Sequence, residues 1–140
     1  MKLVMDTNVL VSAFLWSGTP AGLLDYVTEN GFSFYTSDVL LDELSKLLHS
    51  PKLAKTIAAS GLEADGYFYR YQQMAMSVPS RKLTRQVCRD ADDDHVLACA
   101  LAAKADLIVT GDKDLLVLHP WRAVHILSPA AALNTLKRIR

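Results

Sequence analysis

The chain has 140 residues, 51% of them hydrophobic and 21% charged, a composition that excludes extended disorder and suits one globular domain spanning 1–140. Lysine plus arginine and aspartate plus glutamate balance at 15 each, so the net charge is zero and any nucleic-acid contact has to be local. Cys88 and Cys99 form no CxxC pair and no disulfide framework, no apolar run is long enough to span a bilayer, and the opening residues make a poor signal peptide; a cytoplasmic protein without membrane contact is expected.

Leu3 to Met5 reads as a short buried strand, followed by helices over Val9 to Leu15 and Pro20 to Glu29, split by Ser17-Gly18-Thr19-Pro20. Phe32 to Tyr35 suggests a second strand. Ser37 is placed to cap a helix running to about His49, which stops before Pro51. Lys52 to Ser60 and Leu62 to Ser77 read as two further helices, and Val78 to Leu83 as a short extended piece. In "RDADDDHVLACALAAKAD" the apolar residues Val96, Leu97, Ala100 and Leu101 recur at helical spacing, which predicts a buried helix. Leu107 to Val109 and Val124 to Leu127 read as strands, and a last helix begins at Pro129. Strands alternating with helices argue for an α/β fold with an open parallel sheet.

In such sheets sites form at the carboxyl ends of the strands. Asp6 ends the first strand and Asp112 follows "LIVTG", so both belong to one edge. In "SDVLLDELSKLL" the stripe Leu40, Leu44, Leu47 and Leu48 leaves Asp42 on the far side and Glu43 on its flank, so Glu43 is the acid aimed at the interior. Asp94 opens the helix whose interior face begins at Val96. Four clustered carboxylates repel, and Lys113 is the one basic neighbour, beside Asp112. An all-oxygen set without paired His or Cys suits a hard divalent ion, Mg²⁺ or Mn²⁺. Asp6, Glu43, Asp94 and Asp112 are therefore the expected metal ligands, with Thr7, Asn8, Thr110 and Asp114 as surrounding support.

The blocks "MDTNVLVSAF", "TSDVLLDELSKLL", "RDADDDHVLACALAAKADLIVTGDKDLL" and "HPWRAVHILSPAAAL" resemble, in order, those of PIN-domain proteins, in particular the small prokaryotic VapC-like toxins of toxin–antitoxin pairs. The resemblance runs from Met1 to about Leu133. It implies a Rossmann-like three-layer PIN fold with a roughly five-stranded parallel sheet flanked by helices, and a Mg²⁺- or Mn²⁺-dependent endoribonuclease site. Matched block by block, the family's acids fall on Asp6, Glu43, Asp94 and Asp112, with Ala91 where the family often has proline. It further implies an RNA substrate, an antitoxin partner and a homodimer.

Simpler readings stand beside these. Asp90, Asp92 and Asp93 read as helix-capping and solvated acids, and Asp114 as a cap for "LLVL". Tyr67, Tyr71 and Met74 recur at helical spacing and mean core or a subunit interface, the resemblance favouring the interface. Arg81, Lys82, Arg85 and Arg89 form either a solvated or a phosphate-binding face. Two other functions remain open: an inactive PIN-fold module binding RNA or protein, and a haloacid-dehalogenase-like phosphatase. The latter wants an acid two residues after Asp6, where Asn8 stands.

Overall fold

Short strands that are apolar on both faces belong to a parallel sheet covered on both sides, because alternate side chains leave the sheet in opposite directions. The computed structural model describes residues 1–139. In chain order it contains β1 (Lys2–Met5), α1 (Thr7–Leu15), α2 (Thr19–Glu29), β2 (Ser33–Ser37), α3 (Asp38–Leu48), α4 (Ala54–Ser60), α5 (Ala64–Met74), β3 (Ala75–Val78), α6 (Asp94–Ala103), β4 (Leu107–Val109), α7 (Lys113–Leu116), β5 (His125–Leu127) and α8 (Pro129–Ile139). The five strands pair in parallel in the order β3-β2-β1-β4-β5.

Leu3 and Met5 of β1, Phe34 of β2 and Leu107 and Val109 of β4 share one core with α1, α2, α3, α5 and α8. The intervening residues, Val4 and Ile108, face the other side, where α6 and α7 close a second core with Val96, Leu97, Ala100 and Leu115. The result is the open parallel α/β sheet expected from the alternation of strands and helices, in the three layers that the family resemblance implies. Ser37 caps α3 as anticipated, its side chain accepting the Leu40 N–H at 3.3 Å.

The larger differences from the sequence reading fall between residues 51 and 83. The helix expected through Ser77 ends at Met74, and Ala75–Val78 instead adds a parallel strand to β2. Local apolar spacing cannot register the unpaired edge of β2, which offers those residues a ladder of hydrogen bonds. The extended piece expected over 78–83 keeps only Val78 as strand, since Pro79 cannot donate to a ladder. Near residue 52 a 3₁₀ turn over Pro51–Leu53 precedes α4.

Tyr67 and Tyr71 lie in the core, where Phe14 stacks on the first and meets the second edge-on, so the interface favoured for this pair is not where they sit. Tyr69, Met74 and Met76 are the exposed large residues of this region.

Candidate active site

The strand order turns about β1 and β4: connections run outward to β2 and β3 on one side and to β5 on the other. Helices therefore diverge from the carboxyl ends of β1 and β4, leaving a crevice at that point. Met5 pairs with Val109, so the next residues, Asp6 and Thr110, stand side by side at its floor.

Asp6 is 9% exposed and caps α1, its Oδ1 accepting the Asn8 N–H at 3.4 Å. Its Oδ2 accepts a hydrogen bond from the Thr110 hydroxyl at 2.8 Å. Thr110 is fully buried, and its Oγ1 also accepts the Asp112 N–H at 3.0 Å. One hydroxyl thus joins the acid after β1 to the backbone of the acid after β4. Asp112 in turn caps α7, its Oδ1 accepting the Asp114 N–H at 2.8 Å; the cap is Asp112, and not Asp114 as the sequence suggested. Thr7 is buried in the first turn of α1, whereas Asn8 is exposed and reaches Asp6 through its backbone.

Glu43 projects from α3 and its Oε1 meets His95 Nδ1 at 2.7 Å. Burial raises the Glu43 pKa; the hydrogen bond and charge of His95 oppose this, and Asp92 and Asp6 add to it. Asp92, Glu43 and His95 bring ligand-type atoms within 4.8 Å of one another.

Asp94, which the sequence reading put with Asp6, Glu43 and Asp112, turns its carboxylate to the backbone of residues 87 and 88. Its two carboxylate oxygens accept the N–H groups of Val87 at 2.9 Å and Cys88 at 2.7 Å. Burial would raise its pKa, but these two amides and the Cys88 thiol outweigh it and the pKa is lowered. The acid beside Asp112 is Asp93. The carboxylates of Asp93, Asp112 and Asp114 lie within 4.8 Å of one another. Asp93 makes no capping bond to α6, unlike the role read from sequence, and its pKa rises to about 6 through burial and the charges of Asp112, Asp90 and Asp6.

A helical signal for Asp93 was present in the sequence. Asp93 precedes Val96, Leu97 and Ala100 by three, four and seven residues, so it extends the buried stripe of α6 by one turn. Asp94 extends the flank containing Ala98 and the half-buried Leu101. Nothing local marks His95 as the partner of Glu43, because that contact joins residues 52 positions apart.

Residues 2–114 match the sequence model of the PIN domain family. The chain belongs to that family. It is 38% identical over 121 residues, 85% of its length, to the uncharacterized protein MJ1680 of Methanocaldococcus jannaschii, covering 76% of that protein. Its fold is similar to a chain in the crystal structure of VapBC2 from Rickettsia felis bound to a DNA fragment from their promoter. The TM-score is 0.62 at 16% identity, covering 90% of this chain and 97% of that one.

In this PIN domain the donor set fits a hard divalent cation. Among the described residues Asp6, Asp93 and Asp112 have no Lys or Arg ion-pair partner, and Glu43 has only His95. Each pair of unit charges near 4.8 Å repels by roughly 1 kcal/mol even at the dielectric of water, and by more when desolvated. The Asp93 pKa is raised first by burial and then by the charges of Asp112, Asp90 and Asp6, and a bound cation would offset the latter. Beside the acids a cleft of about 430 Å³ opens, lined by residues including Asp6, Asn8, Ser12, Gly111 and Asp112.

Proposed function

We propose that this PIN domain is a metal-dependent endoribonuclease in which Asp6, Glu43, Asp93 and Asp112 hold Mg²⁺ or Mn²⁺. The observation that carries this reading is that these acids come from four separate segments and feel one another's charge, Glu43 that of Asp6, and Asp93 those of Asp112 and Asp6, with no Lys or Arg paired to them among the described residues. When bound, the ion would supply the positive charge that lets a phosphodiester approach the acids and a water attack it.

The chain's own contribution is fixed orientation. Thr110 directs one oxygen of Asp6, the Asp114 N–H directs Asp112, and His95 holds Glu43. Such anchoring lets ligands keep their geometry as the reaction proceeds. With its pKa raised to about 6 by burial and neighbouring charge, Asp93 would give up its proton to serve as a ligand.

Family resemblance and the VapBC2 neighbour support the toxin half of a toxin–antitoxin pair acting in the cytoplasm, with a small antitoxin protein as partner. No helix among the described residues is long and apolar enough to cross a membrane. Exposed Tyr69, Met74 and Met76 on α5 and β3 supply the surface for a homodimer.

The test is incubation of purified protein with end-labelled single-stranded RNA in Mg²⁺, Mn²⁺ or EDTA, beside Asp6→Asn and Asp93→Asn variants. Cleavage that requires metal and disappears in both variants is expected. Cleavage unchanged by either substitution, or none under any condition, contradicts the proposal.

A further inference from the structure

The acid cluster cannot itself hold a polyanion, and a molecule of zero net charge provides no long-range field to do so. Cationic side chains must therefore meet the nucleic acid close to the acids. Segment 81–86 lies across the N-terminal half of α6, and between them runs a cleft of about 310 Å³. One wall carries Arg81, Lys82 and Arg85; the other carries His95, the residue bonded to Glu43, and Asp94, whose two oxygens are taken up by the Val87 and Cys88 N–H groups. The cleft thus borders the Glu43–His95 pair, whereas the 430 Å³ cleft opens on the side of Asp6 and Asp112. A neighbouring cleft of about 250 Å³ shares Arg81 and Lys82 and extends the path to Arg122.

The segment that carries these cations is held at both ends. Val87 and Cys88 donate to Asp94, the Gln86 side chain donates to the carbonyls of Cys88 and Arg89, and Val39 N–H reaches Ser80 Oγ at 3.4 Å. The side chains of Arg81, Lys82 and Arg85 are exposed, and none forms an ion pair among the described residues. Three cations without ion-pair partners among the described residues, on a segment held at both ends and lining a groove that borders the Glu43–His95 pair, suit a strand with one charge per nucleotide.

The geometry points to this groove as the track for the RNA backbone on the Glu43 side of the cut, with Arg81, Lys82 and Arg85 contacting successive phosphates and Asp94 positioning the segment that carries them. This inference rests on the nuclease reading. It gives Asp94 a role distinct from that of Asp93: one acid fastens the substrate track and the other belongs to the metal set.

The experiment measures binding of a labelled single-stranded RNA to the full chain in Mg²⁺ by fluorescence anisotropy over a series of salt concentrations. The parent is Asp6→Asn, which removes cleavage. To it are added either Arg81→Ala, Lys82→Ala and Arg85→Ala together, or Lys52→Ala, Lys55→Ala and Lys137→Ala, an equal loss of charge at exposed positions elsewhere. Losing three phosphate contacts should weaken binding about tenfold or more at low salt and reduce the slope of log K against log salt by about 2, whereas the control triple should keep the parent slope. Single Arg81→Gln and Arg85→Gln variants should each remove about 0.7 of the slope. If the groove variants bind with the parent's affinity and slope while the unmutated protein cleaves RNA, the track is wrong and the nuclease reading stands. If the unmutated protein neither binds nor cleaves RNA, the nuclease reading falls and the track with it.

Discussion

Thr110 carries more of the site than any other neutral residue, since its single hydroxyl donates to Asp6 and accepts from the Asp112 backbone in a fully buried position. Thr110→Val keeps the shape, leaves the Asp112 N–H without its acceptor and frees one oxygen of Asp6; it should cost about 1–3 kcal/mol in urea unfolding. Thr110→Ser keeps the hydroxyl and should retain most of the stability and of the RNA cleavage. Asp93 supplies a pH dependence of definite sign. Its folded pKa, about 6, lies above the ordinary 3.8, so its stabilising contribution is complete below about 3.8 and is lost as pH rises through about 6. Metal-free protein should lose thermal stability between about pH 4 and 7 relative to Asp93→Asn, and Mg²⁺ should restore more stability at about pH 7.5 than at pH 5. A parallel pH profile for Asp93→Asn would contradict this assignment.

At the scale of elements, strands β1, β4 and β5 and the α3 cap were legible because each depends on local chemistry: an apolar run, a β-branched run, a serine before a helix. The edge strand β3 was not, because its conformation is decided by pairing with β2. The site shows the same division. Asp6 and Asp112 follow from their places at strand ends, and Glu43 from the flank of a leucine stripe. The distinction between Asp93 and Asp94 turns on helix phase and on the return of residues 87 and 88 to α6, and only the second of these is invisible in sequence. Asp94→Asn retains one acceptor for two amides, so the 81–86 segment should loosen. We expect a raised KM for RNA with kcat preserved within about threefold, whereas Asp93→Asn should lower kcat itself. A loss confined to kcat in Asp94→Asn would contradict the positioning role.

At the scale of the molecule, the sheet sorts chemistry to its carboxyl edge and leaves two features elsewhere. On the proposed nuclease reading, the balanced charge leaves RNA binding to local cations, and its affinity should fall steeply with salt. The exposed Tyr69, Met74 and Met76 sit on α5 and β3, away from the core that holds Tyr67 and Tyr71. Tyr69→Glu with Met76→Glu should shift sedimentation toward monomer at micromolar concentration with little change in melting temperature. A wild-type protein that sediments only as monomer would remove the homodimer.

The most direct test of the central claim is Mn²⁺ affinity, measured by paramagnetic resonance of the free ion, for wild type, Asp93→Asn and Asp94→Asn. The account predicts a loss of about tenfold or more for Asp93→Asn and nearly unchanged affinity for Asp94→Asn. Loss in Asp94→Asn with affinity retained in Asp93→Asn would contradict it.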